Sequence, residues 1–198
     1  MSMDIGKERA IITDARQRIL PSRQPKIAMT DQISNAPQIG EPLPQFSLPA
    51  AMATENGSES STRCNADFLG KPWVLFVYPK DATSGCTVET QGFRDLHQSF
   101  RVLDCQIVGL SRDGIGAHKR FIEAQNLPFA LLSDKEQNVL KSWDLIAAAT
   151  MYGKPVTKVR RTTFLIDQSG IVRQIWNEVS PFGHAQEVLQ AARLLSEK

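Results

Sequence analysis

Beyond residue 40, short unbroken apolar runs alternate along the chain with stripes of apolar residues at helical spacing. The run 73–78, bounded by Pro72 and Pro79, predicts a strand that is buried on both faces. A stripe at helical spacing then predicts the first long helix, through Val88, Phe93, Leu96 and Phe100. A buried strand followed by an amphipathic helix is typical of a layered α/β protein.

The same alternation continues to the end of the chain. The next predicted elements are strand 106–110, helix 115–125, strand 129–132, helix 135–143, and strands 162–166 and 171–176. The last two strands flank the turn sequence Asp-Gln-Ser-Gly, which predicts a β-hairpin. One apolar face then predicts a closing helix, through Ala185, Val188, Leu189, Ala192 and Leu195.

This order of elements predicts the fold class. We expect an α/β protein whose central mixed β-sheet is flanked by helices on both faces. A terminal hairpin after βαβ units is the outline of a thioredoxin-like fold. Upstream, residues 41–49 predict an extended strand, and Asn56-Gly57 marks a turn in a polar loop that runs to Thr62.

Composition indicates one folded domain with an appendage. The chain has 198 residues, of which 41% are hydrophobic, enough for one core. Residues 1–35 form a basic extension that we expect to be flexible, and residues 36–198 form the domain. Residues 1–29 carry a net charge of +3 against +2 for the whole chain, so the domain is close to neutral.

These features argue against two classes of partner. A near-neutral domain lacks the basic stripe that nucleic-acid binding requires, so we expect no nucleic-acid partner. The sequence has no run of 18 apolar residues and no apolar stretch near its start, so we expect neither a membrane span nor export. We therefore expect a cytoplasmic protein.

Three cysteines, Cys64, Cys86 and Cys105, are too few for a closed disulfide framework and indicate chemistry instead. Cys86 lies in the opening turn of the first long helix, and Thr83 is placed to cap that helix. Free backbone N–H groups and the helix dipole favour a thiolate there. A thiolate is the form of cysteine that attacks a peroxide.

The residues around Cys86 resemble a known family. Tyr78-Pro79, Thr83, Cys86 and Glu89 are similar to the peroxiredoxin active-site pattern Pro-x-x-x-Thr-x-x-Cys. They resemble it in the version of the bacterioferritin comigratory protein, or peroxiredoxin Q, subfamily. The likeness continues in order along the chain, through 92–95, 109–113, 127–129, 131–134, 151–154 and 161–167.

The resemblance implies a thiol peroxidase. Cys86 would reduce hydrogen peroxide or an organic hydroperoxide and become a sulfenic acid. Thr83 would hydrogen-bond the thiolate or the peroxide, and Arg161 would stabilise the negative charge. Pro79 and Tyr78 would shape the pocket, while Glu89 would either support Arg161 or be solvated.

No cofactor is implied, and no metal site either. His97, His118 and His184 lack the spacing of metal ligands, so we interpret them as surface or packing residues.

The recycling route departs from the subfamily pattern. Many members carry a resolving cysteine five residues after the peroxidatic one, but Gln91 occupies that position. Cys105 and Cys64 remain as either structural or resolving residues. The prediction is a one-cysteine mechanism, in which glutathione, glutaredoxin or thioredoxin resolves the sulfenic acid, in a monomer or a homodimer.

Two other functions share the same fold. A thiol-disulfide oxidoreductase usually needs a Cys-x-x-Cys motif, which the chain lacks. A peroxide-responsive redox sensor, in which oxidation of Cys86 changes a partner contact, is the other alternative.

Overall fold

A computed structural model describes residues 35–55, 57–151 and 153–197. The predicted flexible extension, residues 1–35, lies outside these ranges except for Asn35. The nine strands are β1 (Ser47–Thr54), β2 (Gly57–Cys64), β3 (Trp73–Val77), β4 (Gln106–Ser111), β5 (Ala130–Ser133), β6 (Ile146–Met151), β7 (Lys154–Val159), β8 (Thr162–Ile166) and β9 (Val172–Asn177).

Seven of these strands form one mixed sheet in the order β2-β1-β5-β4-β3-β8-β9. Strands β3, β4 and β5 are parallel, while β1 and β8 run antiparallel to their neighbours in that group. Five helices and a short 3-10 turn complete the chain: α1 (Ser84–Asp95), α2 (His97–Val102), α3 (Ile115–Gln125), α4 (Asn138–Ser142), α5 (His184–Ser196) and the turn Asn65–Phe68.

The sheet has a hydrophobic core on each face. Successive residues of β3 point to opposite faces, so Val74 and Phe76 join one core while Leu75 and Val77 join the other. Helices α1, α2, α3 and α5 cover the first core, and α4 and the 3-10 turn cover the second. The predicted mixed sheet with helices on both faces is confirmed.

The structure differs from the sequence prediction in several elements. The predicted long helix through Val88 and Phe100 is divided into α1 and α2, which meet at Leu96 (φ −93°, ψ 0°). The predicted polar loop after the Asn56-Gly57 turn is the edge strand β2, which pairs with β1 along its whole length. Strands β6 and β7 form a separate hairpin that the sequence did not reveal. The predicted helix 135–143 is shorter in the structure, where it is α4. It begins at Asn138 because the backbone at Gln137 is left-handed and the Asp134 carboxylate accepts hydrogen bonds from the N–H groups of Asn138 and Leu140.

None of the helices in the described ranges is long and apolar enough to cross a membrane.

Gly109 in β4 allows close packing in the core beneath α1. A Cβ atom at this position would lie 2.6 Å from Leu131 Cδ2 and 2.9 Å from Phe76 Cζ, which is closer than real side chains approach. Both neighbours are buried core residues, so neither can move away freely.

We therefore expect Gly109→Ala to lower the free energy of unfolding by about 1–3 kcal/mol through overpacking. Gly116→Ala is the matched control, because a Cβ there would lie 3.7 Å from Arg120 Nη1, at the surface of α3. Alanine in a helix should stabilise by about 0.5–1 kcal/mol. Urea unfolding of both variants measures the difference, and equal stabilities would refute the packing interpretation.

Candidate active site

Cys86 lies at the start of α1, just beyond the carboxyl end of β3. It is the third residue of the helix, so the predicted position in the opening turn is observed. The side chain is only 1% exposed and belongs to the core beneath α1. Its Sγ lies 3.4 Å from Arg161 Nη2, within hydrogen-bond reach for sulfur.

Arg161 connects the sulfur to a buried carboxylate. While Nη2 faces Cys86, Nη1 donates a short hydrogen bond to Glu89 Oε2. Burial disfavours the charge of the guanidinium, but the Glu89 carboxylate and the Cys86 sulfur outweigh it and raise the pKa of Arg161 above its usual range. The arginine therefore stays cationic beside the sulfur.

Glu89 lies one helical turn after Cys86 and is fully buried, at 0% exposure. Of the two roles expected for it, support of Arg161 is the one that the contact matches. Its Oε1 has no hydrogen-bond partner among the described residues. Burial raises the pKa of Glu89 to about 7, although Arg161 acts in the opposite direction.

Thr83 occupies the N-cap position of α1 without capping it. Its backbone is extended, as an N-cap requires, and its carbonyl accepts the first helical hydrogen bond from the Thr87 N–H. The hydroxyl instead donates to the Lys80 carbonyl oxygen at 3.1 Å. The predicted side-chain cap is therefore wrong, because the hydroxyl is engaged by the loop carbonyl three residues back and makes no hydrogen bond to the helix N–H groups.

Tyr78 and Pro79 lead from β3 into the active-site loop. Tyr78 is buried, and its hydroxyl donates to Asp81 Oδ1 at 2.7 Å instead of reaching the sulfur. Burial, together with the nearby Asp81 carboxylate, raises the pKa of Tyr78 well above its ordinary value. Pro79 is half-buried beside it.

Two residues near the site were not singled out from the sequence. A Cβ atom on Gly85 would lie 3.6 Å from Pro181 Cγ, so the segment after β9 borders the start of α1. Asp81 forms a buried hydrogen bond with His118, which sequence reasoning treated only as a surface or packing residue. No motif marks Pro181, and the partners Asp81 and His118 are 37 residues apart.

Cys105 lies far from Cys86. It directly precedes β4, whereas Cys86 follows β3, and the two strands are parallel with Trp73 paired to Gln106. The two cysteines are therefore at opposite ends of the sheet, separated by about 17 Å of strand length. Burial raises the pKa of Cys105 to about 12, which leaves it a poor nucleophile.

Cys64 ends the edge strand β2, outside the core that contains Cys86. The 3-10 turn that follows it packs Phe68 into the core on the other face of the sheet. All three cysteines are free thiols. The described residues contain no group of three or more His, Cys, Asp or Glu side chains placed to hold a metal ion.

Comparisons with known proteins show which family the chain belongs to. The family model described as "AhpC/TSA family" matches residues 39–175, well over half of the chain. The chain belongs to the AhpC/TSA family. Peroxiredoxin Bcp of Bacillus subtilis is 38% identical over 161 residues, which cover 81% of this chain and 98% of the relative.

Solved structures of a peroxiredoxin Q and a peroxidoxin superpose on the chain. Peroxiredoxin Q of Xanthomonas campestris has a TM-score of 0.68 at 33% identity, covering 76% of this chain and 91% of that chain. Peroxidoxin BcpB of Mycobacterium tuberculosis has a TM-score of 0.67 at 31% identity, covering 80% and 98%. The predicted thioredoxin-like fold and the predicted class of enzyme, a thiol-dependent peroxidase of the peroxiredoxin type, are confirmed.

Glu89 should make the stability of this AhpC/TSA protein depend on pH. A pKa raised from 4.5 to about 7 means that the folded state favours the protonated form of the Glu89 carboxyl. The contribution of this group to the free energy of unfolding is therefore fully present below pH 4.5 and is lost as pH rises through about 7. We expect wild type to lose stability relative to Glu89→Gln across that range.

Urea unfolding at a series of pH values measures this difference. Glu136→Gln, which changes an exposed carboxylate, is the control. If the stabilities of wild type and Glu89→Gln depended on pH in parallel, the raised pKa of Glu89 would be contradicted.

Proposed function

We propose that Cys86 is the peroxidatic cysteine of this thiol peroxidase. Its thiolate attacks the terminal oxygen of the peroxide, a sulfur–oxygen bond forms and the O–O bond breaks. The electron pair of the O–O bond goes to the departing oxygen, which takes up a proton and leaves as water or an alcohol. The contact between Cys86 Sγ and Arg161 Nη2 at 3.4 Å is the observation that supports this proposal most directly.

Arg161 stabilises both the thiolate and the charge that develops on the departing oxygen. Its guanidinium is fixed in place by Glu89, so it need not reorganise during the reaction. The Cys86 backbone N–H, in the first turn of α1, is placed to hold a peroxide oxygen.

Thr83 receives the peroxide from the solvent side of the loop. Its side chain is exposed, and its hydroxyl hydrogen is engaged by the Lys80 carbonyl. The hydroxyl oxygen therefore acts as an acceptor for the peroxide O–H. Pro79 and the buried ring of Tyr78 exclude water from the inner side of the pocket.

Both hydrogen peroxide and organic hydroperoxides are proposed substrates. The Xanthomonas campestris bacterioferritin comigratory protein, 32% identical with a TM-score of 0.68, has alkyl peroxide reduction activity. We propose the same breadth for this protein, working in the cytoplasm as a monomer or a homodimer.

An external thiol recycles Cys86. Gln91 occupies the usual place of a resolving cysteine on α1, and its amide donates to Gln125 on α3. Neither Cys64 nor Cys105 lies beside Cys86. A thiol of thioredoxin, glutaredoxin or glutathione attacks the sulfenic sulfur and releases water, and a second thiol then displaces Cys86 from the mixed disulfide.

Replacing Arg161 should slow the reaction with peroxide. We expect Arg161→Met to lower the second-order rate constant about a hundredfold, as loss of one donor to a developing charge does. Arg160→Met is the matched control, because Arg160 bonds the exposed Asp144 at 3.4 Å. Stopped-flow mixing of reduced protein with hydrogen peroxide measures the rates. A normal rate for Arg161→Met, or for Cys86→Ser, would contradict the proposal.

One equivalent of peroxide should leave a sulfenic acid. We expect the intact mass of the reduced protein to increase by one oxygen atom, because no second cysteine lies within disulfide range of Cys86. An intramolecular disulfide would instead remove two hydrogen atoms. If that loss occurs in wild type and disappears in Cys64→Ser or Cys105→Ser, the one-cysteine mechanism is wrong.

A further inference from the structure

We propose that Asp81, His118 and Tyr78 form a tether that holds the loop before Cys86 closed and thereby limits how fast oxidised Cys86 is recycled. This inference rests on the proposed role of Cys86. The three residues are called the loop tether below. They act through the loop, so they are positioning residues and not catalytic residues.

Asp81 is the anchor of the tether. It lies between β3 and α1, five residues before Cys86, and is only 8% exposed. Its Oδ1 accepts the Tyr78 hydroxyl hydrogen at 2.7 Å, and its Oδ2 lies 2.8 Å from His118 Nδ1. The backbone N–H of Asp81 donates to Asp113 Oδ2 at 2.8 Å. Both the side chain and the backbone of Asp81 are therefore fixed.

His118 connects Asp81 to buried parts of α3 and β5. It is fully buried on α3, and its Nε2 lies 3.1 Å from the Leu132 carbonyl oxygen on β5. A carbonyl oxygen can only accept, so Nε2 bears a hydrogen. The contact of Nδ1 with Asp81 and that of Nε2 with Leu132 together join the loop to α3 and to the carboxyl end of β5.

The charged and titratable groups around the tether come from several elements. Tyr78 faces Asp81 from the end of β3, and Asp113 faces it from the segment after β4, where Ser111 also donates to Asp113 Oδ2. Lys80 and Arg120 line the surface cleft beside Asp81.

The backbone conformation and the exposure of the loop change directly after Asp81. Ala82 has a φ of 56°, in the left-handed region that side chains other than glycine avoid. The side chains of residues 82–84 are exposed. The anchored residue is therefore followed by a strained, solvent-facing segment that leads straight to Cys86, and this segment opens once the anchor is lost.

Opening matters because Cys86 is 1% exposed. An external thiol must reach the sulfur to attack the sulfenic acid, and the closed loop blocks that approach. Attack on peroxide has the opposite need, because it uses the closed arrangement with Arg161. A weakened tether should therefore speed recycling and slow peroxide attack.

The test measures both rates in the same variants. Reduced protein is mixed with hydrogen peroxide in a stopped-flow instrument, and protein oxidised with one equivalent of peroxide is then mixed with dithiothreitol and followed by intact mass. Tyr78→Phe, Asp81→Asn and His118→Gln are compared with wild type. Tyr78→Phe removes one hydroxyl and keeps the ring, so it has the least effect on folding.

We expect the ratio of the recycling rate to the peroxide rate to rise in each variant. The rise should be about twofold to tenfold for Tyr78→Phe, the effect of one net hydrogen bond on an equilibrium. Asp134→Asn is the matched control, because Asp134 is an equally buried carboxylate that bonds the backbone of α4 instead of the loop. Its ratio should stay at the wild-type value.

Two results would contradict the proposed role of the loop tether. Both rates could fall together in the Tyr78 and Asp81 variants, as a general loss of structure would cause, or the ratio could stay unchanged. Failure of the proposed function looks different, because wild-type Cys86 would then not be oxidised by peroxide at all. Hydrogen exchange of the amides at 79–86 adds a second readout, with faster exchange expected in the tether variants but not in Asp134→Asn.

Discussion

The candidate active site depends on one partly buried cation. Arg161 donates to the fully buried Glu89 carboxylate and faces the Cys86 sulfur with its other terminal nitrogen. A buried carboxylate without a cation would be strongly unfavourable, and so would a buried thiolate. The Glu89 carboxylate and the proposed Cys86 thiolate therefore share Arg161 as their positive partner.

Sheet topology brings these distant residues together. Cys86 and Arg161 are 75 positions apart, yet β3 and β8 are neighbouring antiparallel strands with Val77 paired to Thr162. The carboxyl end of β3, which leads to Cys86, thus lies beside the amino end of β8, which directly follows Arg161. The loop tether secures the same end of the sheet from the other side, through α3 and β5. The topology of the sheet therefore determines where the residues of the candidate site meet.

Sequence reasoning succeeded where the core dictates the pattern. Strands β3, β4 and β8 were visible because burial on both faces demands unbroken apolar runs. Strand β2 was missed because its sequence, Gly-Ser-Glu-Ser-Ser-Thr-Arg-Cys, has no apolar face, and its pairing with β1 depends on backbone hydrogen bonds. The β6–β7 hairpin was missed for a related reason, since it pairs outside the main sheet.

Within the candidate site, too, the sequence predicts some residues and contacts but not others. The motif brought forward Cys86, Arg161 and Glu89, and in the structure both Cys86 and Glu89 contact Arg161. The Thr83 cap was predicted from residue preference alone, and the loop carbonyl of Lys80 competed successfully for the hydroxyl. The partnership of Asp81 with His118 depends on how α3 packs beside the loop, which no local pattern encodes.

Peroxide is expected to react with the one cysteine that Arg161 contacts. Trapping the sulfenic acid with a dimedone reagent after one equivalent of hydrogen peroxide, followed by peptide mass spectrometry, tests it most directly. We expect the label on Cys86, with Cys64 and Cys105 unmodified. A label on Cys64 or Cys105 with Cys86 left as a free thiol would contradict it.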